Sequence, residues 1–410
     1  MAHHPRAAYI LPCLLLLPFL AGPGQARDLR SDPVTGRIRV IYIGDAIGVA
    51  NPFPILNQEP LLSCTAVYAT TIHQHIDTIK RSFRLYMPRT YSRFLSNDVV
   101  ILSDANKDAF RTENFRWMKD GVLDEGLGLI MVGGAESFAQ EGGYPSWKPT
   151  EVAEILPCEM VPTAPKFSGG RLRILDWEDE FVSSLPFENI GAYGVFGGSN
   201  NILPLSRANL VAELIQGTLG TTPFLMWFDI GEGRTMAQSA DWTPAGGNIF
   251  MRWDYYGDYA VNMALFLAGM KMPDDLETVY LVRRRLRETT EAIGMIYNMV
   301  EIIDKFGGSS TTLDSMMAEL REEREMGLSS YFKADLDGAL EAFASALSKA
   351  DETMNEAIRV RNAAAFWIFF TEWCVVTGTS MFAGAILWML MVRRRLYREV
   401  SLTKLRQVDE

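Results

Sequence analysis

Two hydrophobic periods divide the chain. Up to about residue 270, short apolar runs alternate with amphipathic stretches, and beyond it apolar positions recur at helical spacing. "IRVIYIGDA" (38–46) and "SNDVVILSDA" (96–105) are rich in β-branched residues and exit through an aspartate, the pattern of buried strands that hand over to a loop. "GLIMVGGAESF" (128–138) has the same form, stopped by two glycines, a carboxylate and a hydroxyl. Helices are predicted over 60–82, around 111–125 and near 255–269. Residues 223–241 read as two strands around the turn Gly231-Glu232-Gly233, and 142–205, rich in Gly, Pro and Asn, as loops and shorter strands. This alternation predicts an α/β domain over 38–270, a parallel sheet with helices on both faces.

From Leu276 onward Val279, Leu286, Ile293, Ile296, Val300 and Ile303 mark one apolar stripe, and Leu313, Met317, Leu320, Leu336, Leu340, Phe343 and Leu347 mark its return. Gly307-Gly308 is placed to end the first helix, with Ser310 or Thr311 as the next cap, giving a helical hairpin stalk over 271–362. Trp373–Val392 is twenty residues without a charge, about the thickness of a hydrocarbon core, so a transmembrane helix is expected over 363–392. Arg393, Arg394, Arg395 and Arg398 follow at once, which places the tail 393–410 in the cytoplasm and the bulk of the chain outside it. Residues 1–26 combine a cationic start, a short apolar middle and small residues before Ala26, the form of a secretory signal peptide, and 27–37 is a linker.

Charge and cysteine content narrow the classes. A net charge of −11 excludes nucleic acid as an expected partner, because phosphate neutralisation needs a basic face. Past the signal only Cys64, Cys158 and, in the membrane helix, Cys374 remain; Cys64 and Cys158 could pair in an oxidising compartment, but no disulfide scaffold is expected. His73 and Asp77 share a helical face while His75 points elsewhere; no metal and no cofactor are expected. The stalk and anchor, with Ser380 and Gly384 as a small-residue pair, are the expected contacts for a membrane-protein partner or a second copy.

Three segments together resemble the class I glutamine-amidotransferase-like domains: "DVVILSDA", residues 125–160 beginning "EGLGLIMVGGAESF", and residues 231–269 beginning "GEGRTMAQSADWTP". The resemblance implies a flavodoxin-like sheet, and it implies that the loop "GGAES" lies beside the active site. There the amides of Gly133, Gly134 and Ala135 would face an oxyanion; a tight turn needing glycine is the competing reading. The family's chemistry requires a cysteine on a Gly-x-Cys-x-Gly elbow and a histidine after the strand corresponding to "GRTMAQSAD". This chain has neither: Cys64 and Cys158 lie among apolar neighbours, and Ser239, Ala240, Asp241 and Trp242 occupy the histidine's segment. An enzyme acting on glutamine is therefore not expected. The candidate pocket is drawn from strand exits: Asp45, Asp104, Gly133, Gly134, Ala135, Glu136, Ser137, Ser239, Asp241 and Trp242. Two roles stand open for its acids and for Trp147, Trp242 and Trp253. The acids grip a ligand or divide acid and base work in a hydrolase, or they cap helices while the tryptophans fill the core.

Overall fold

The computed structural model describes residues 36–46, 50–139, 143–161, 167–217, 220–273, 275–305 and 311–405. The expected signal peptide (1–26), nearly all of the linker 27–37, the break at Gly307-Gly308 with Ser310, and the tail beyond 405 lie outside the described residues.

Five strands form the parallel part of the sheet: β1 (Ile38–Gly44), β2 (Leu62–Tyr68), β3 (Val99–Ser103), β4 (Gly128–Val132) and, late in the chain, β11 (Gly233–Gln238). Between β4 and β11 come β5 (Cys158–Met160), β6 (Phe167–Ile174), β7 (Val195–Ser199), β8 (Ile202–Pro204), β9 (Asn209–Ile215) and β10 (Thr221–Ile230). The large sheet runs β2-β1-β3-β4-β11-β10-β9-β6-β7, and every pairing from β11–β10 outward is antiparallel. The α/β expectation holds, and the parallel half has the flavodoxin-like order; an antiparallel extension built from strands between residues 167 and 230 is added to it.

Side-chain alternation along the strands builds two cores. Val40, Tyr42, Val99, Ile101, Ile130 and Val132 face one side, with α1 (Phe53–Gln58) and α7 (Tyr256–Leu267) over them. Ile41, Ile43, Val100, Leu102, Leu129 and Met131 face the other, under α2 (Ile76–Tyr86) and α4 (Thr112–Glu125). Helix α4 stops at Gly126, whose φ of +73° lets the Leu127 amide return to the Gly121 carbonyl at 2.9 Å.

The helix expected over 60–82 is corrected. Residues 62–68 are strand β2, paired with β1 over seven positions, and the helix begins only at Ile76 behind His75. Thr65 and Val67 suit a strand, and the ladder to β1 outweighs the local helical pattern.

The chain divides into two compact units, the first reaching Arg283 and including Phe332–Ala334, the second comprising 284–331 and 335–410. The first unit thus takes in the opening turns of α8 (Leu276–Lys305), beyond the boundary expected at 270. In the second unit α8, α9 (Thr311–Phe332) and α10 (Leu336–Leu405) share small cores, Ile296 with Met317, Leu320 and Ala346, and Ile303 with Leu313 and Ala357. Three helices replace the expected two-helix hairpin, because the returning helix ends at Phe332 and α10 starts a third pass. Helix α10 then continues unbroken for 70 residues, about 105 Å. Among the described residues it is the one helix long and apolar enough to cross a membrane.

Candidate functional site

Strands β1, β3, β4 and β11 run the same way, so their exits share one rim. In the order β2-β1-β3-β4-β11 the connection reverses direction between β1 and β3, the position where open α/β sheets form a crevice. Asp45 and Asp104 leave from those two strands; 133–137 leave from β4 and 239–242 from β11. Close backbone approach makes this possible. A Cβ on Gly44, whose φ is +135°, would lie 1.7 Å from the Ser103 carbonyl oxygen. One on Gly133 would lie 2.1 Å from that of Ser239.

Asp45 is buried, its amide donating to the Ser103 carbonyl at 3.1 Å and its carbonyl accepting from Asn51 Nδ2 at 2.9 Å. Its Oδ1 accepts from the Tyr42 hydroxyl at 2.8 Å, while Oδ2 has no hydrogen-bond partner among the described residues. Burial pushes the Asp45 carboxyl well above the ordinary carboxylate range, and the charges of Asp241 and Asp104 act the same way against bonds from Tyr42 and Ser103. Burial also pushes the Tyr42 phenol well up.

Its neighbours are committed to the scaffold. Asp241 accepts from the Thr243 amide at 2.7 Å and the Thr243 hydroxyl at 2.6 Å, at the start of the short helix α6 (Pro244–Gly247). Asp104 adopts φ +46°, a left-handed conformation that aspartate tolerates better than most, and its Oδ1 accepts from the Glu136 amide at 2.6 Å. Glu136 is buried and saturated: its carboxylate accepts from the Thr71 amide at 2.7 Å, from Asn106 Nδ2 at 2.7 Å and from the Thr71 hydroxyl. It therefore ties the exits of β2, β3 and β4 together. Ser137 Oγ donates to the Val132 carbonyl at 2.6 Å, and Ser239 Oγ to that of Pro223 at 2.7 Å.

The glycine loop spends its amides internally. Gly133 N–H donates to the Gln238 carbonyl at 2.8 Å, and Gly134 N–H to Asn200 Oδ1 at 3.0 Å. Asn200 returns Nδ2 to the Gly134 carbonyl at 3.0 Å and is itself anchored by its amide on the Ser239 carbonyl at 2.7 Å. Ala135 is half-buried. The tryptophans are core members. Trp242 stacks on Tyr42 with centroids 6.3 Å apart and donates to Ser103 Oγ at 2.8 Å. Trp147 donates to the carbonyls of Ala105 and Glu136, and Trp253 stacks on Phe187.

Among the described residues the thiols and imidazoles lie elsewhere. Cys64, on β2, packs against one sheet core and Cys158, on β5, belongs to the other; both are free. Burial pushes the Cys64 thiol up to about 12 and Cys158 higher still. His73 is exposed before α2, and His75 caps that helix by accepting from the Asp77 amide at 3.4 Å. Chemically, the rim offers one buried acid, Asp45, held toward its neutral form first by burial and then by the nearby Asp241 and Asp104.

The structure places these strand exits along one rim. Its supporting partners, Tyr42, Thr71, Ser103, Asn106, Asn200 and Thr243, went unrecognised in the sequence. "SDAN" after β3 hinted at Asn106; nothing local marks Asn200, which arrives from the far end of the sheet.

Residues 74–269 match the family model described as "Putative glutamine amidotransferase", so the first unit contains a glutamine-amidotransferase-like domain. No curated protein matches the chain. Among solved structures, a cytoplasmic protein from Salmonella typhimurium aligns with 21% identity and TM-score 0.46, over 56% of this chain and 99% of its own. A second one, from strain LT2, gives 17% identity and TM-score 0.45 over the same shares. The beta-galactosidase from Bacillus circulans sp. alkalophilus gives 12% identity and TM-score 0.32, over 57% of this chain and 32% of its own.

Proposed function

We propose that this is a single-pass membrane protein whose extracytoplasmic amidotransferase-like domain does not cleave glutamine and instead binds a ligand or partner at its sheet rim. One observation carries the reading. Where the family's chemistry needs sulfur and imidazole, the rim has Asp45, Asp104, Ser239 and Asp241, while the Cys64 thiol is half-buried against one sheet core and the Cys158 thiol is buried in the other, both with pKa raised by burial. The amides of Gly133 and Gly134 being already bonded also supports it, since an oxyanion needs free donors. The apolar stretch of α10 and the arginines that follow support the anchor and its sidedness.

A second reading, hydrolysis by rim carboxylates, draws on Asp45 alone, an acid held toward its neutral form beside two other carboxyl groups. One experiment separates the two. The full chain in detergent is assayed for ammonia release from glutamine and for glycoside and amide hydrolysis, with Asp45→Asn as the test of the acid and Glu136→Gln as the scaffold control. No turnover is expected; ammonia release would refute the reading, and hydrolysis lost in Asp45→Asn while the variant stays folded would favour the second. Protease protection in sealed vesicles tests sidedness. Particle mass after detergent extraction tests a third possibility, an accessory subunit held by stalk and anchor.

A further inference from the structure

We infer that the outward face of α2, with the loop into the short helix α3 (Tyr91–Phe94), docks on an anionic phospholipid surface.

The segment 76–95 carries Lys80, Arg81, Arg84, Arg89 and Arg93 against Asp77 alone, a local excess of four positive charges in a chain of net −11. Helix α2 turns Ile79 and Phe83 inward, with the Phe83 ring 4.8 Å from that of Phe110, and its C-cap Met87 is buried too. At helical spacing this leaves Arg81, Arg84 and Leu85 on the outer face. Leu85 is 71% exposed and Tyr86 59%. Arg81, Arg84, Arg89 and Arg93 are exposed, and none of the five cations has an ion pair among the described residues. Their neighbours behave differently: Lys107 pairs with Asp108 at 2.9 Å, Arg111 with Glu113 at 3.1 Å and Lys119 with Glu154 at 2.6 Å.

A face with unpaired cations and two large exposed apolar side chains fits diffuse negative charge over an apolar layer. Arginine and lysine take the headgroups, and Leu85 and Tyr86 enter the interface. An acidic protein partner would be expected to meet fixed, preoriented donors in a recess, whereas these side chains stand on the outer face of a helix. Apart from this segment and the arginines that follow the apolar stretch of α10, the chain is net negative, so an anionic bilayer favours this face over the rest of the domain. The inference rests on the proposed membrane anchor, which keeps a bilayer within reach.

The test places the photo-crosslinking residue p-benzoylphenylalanine at Leu85 in the full chain, reconstituted into phosphatidylcholine liposomes with or without phosphatidylglycerol. Lipid adducts are expected with phosphatidylglycerol, falling at least about tenfold in phosphatidylcholine alone and in Arg81→Gln/Arg84→Gln, since each surface cation contributes roughly fivefold. Near-UV circular dichroism checks that the variants stay folded. Equal adducts in both lipids, no lipid adducts, or capture of a protein instead of lipid in native membranes would overturn the inference. Carbonate extraction reads the anchor separately. A chain that resists extraction yet gives no lipid adduct at residue 85 refutes the docking alone; an extractable chain with phosphatidylglycerol-dependent adducts refutes only the anchor.

Discussion

Replacing Arg283 tests how the α/β unit ends. Its side chain is 2% exposed in the opening turns of α8. Nε lies 3.2 Å from Glu59 Oε2, and Nη1 lies 2.8 Å from Asp258 Oδ1 and 3.0 Å from Asn262 Oδ1. One guanidinium thus serves two buried carboxylates, and Asp258 Oδ2 has no partner among the described residues. Arg283→Met keeps most of the stem and removes the charge, leaving Glu59 and Asp258 buried and uncompensated. Breaking a buried pair in this way costs about 3–5 kcal/mol, and two abandoned acids argue for the upper end. For a unit of this size each kcal/mol lowers Tm by roughly 2–4 °C, so a drop of about 10 °C is expected. Thermal unfolding of the full chain in detergent, followed by near-UV circular dichroism, measures it. Adding Glu59→Gln and Asp258→Asn should recover most of the loss, because the cost lies in the unpaired charges. A single variant within about 1 kcal/mol of the parent, or no recovery in the triple variant, would refute the argument. The same reasoning predicts that a fragment ending at residue 270 folds poorly compared with one that retains Arg283.

Three further outcomes follow from the rim and the thiols. Asp45 has a folded-state pKa above its unfolded value, so the native state binds the extra proton and stability falls as pH rises above about 4. Asp45→Asn should therefore gain stability over the parent as pH rises from there, levelling once the parent's Asp45 has ionised, in denaturation curves across pH; a constant difference contradicts it. Gly134→Ala places a Cβ 2.3 Å from Asp104 Oδ1, and overpacking there should cost about 1–3 kcal/mol by the same measurement, with relief in Gly134→Ala/Asp104→Gly. Cys64 and Cys158 should resist a water-soluble thiol reagent at neutral pH until denaturant is added, as mass spectrometry would show; rapid native labelling would mean an accessible thiolate.

Several elements were legible because a local pattern suffices to specify them. The short apolar runs rich in β-branched residues at 38–44 and 99–103 announce strands buried on both faces, and the aspartate after each marks where a loop begins. Strand β2 was not legible, since "LLSCTAVY" fits a helix or a strand and only the ladder to β1 decides. The third helical pass was likewise hidden, because the stripe continues from 332 to 336 and the break between α9 and α10 interrupts it only briefly.

By itself the sequence determined the alternation of strands and helices, the acids at the strand exits, the missing thiol and imidazole, and a helix apolar enough for a bilayer. Each is a property of neighbouring residues, set by side-chain period, local turn chemistry or transfer energy. Only the tertiary structure decided what each acid does. Glu136 is saturated by Thr71 and Asn106, Asp241 is turned to Thr243, and Asp45 keeps one oxygen unpaired in a buried site. Those partners lie tens of residues away in sequence in the case of Glu136, and desolvation depends on everything packed around a group, so neither can be read from a local string.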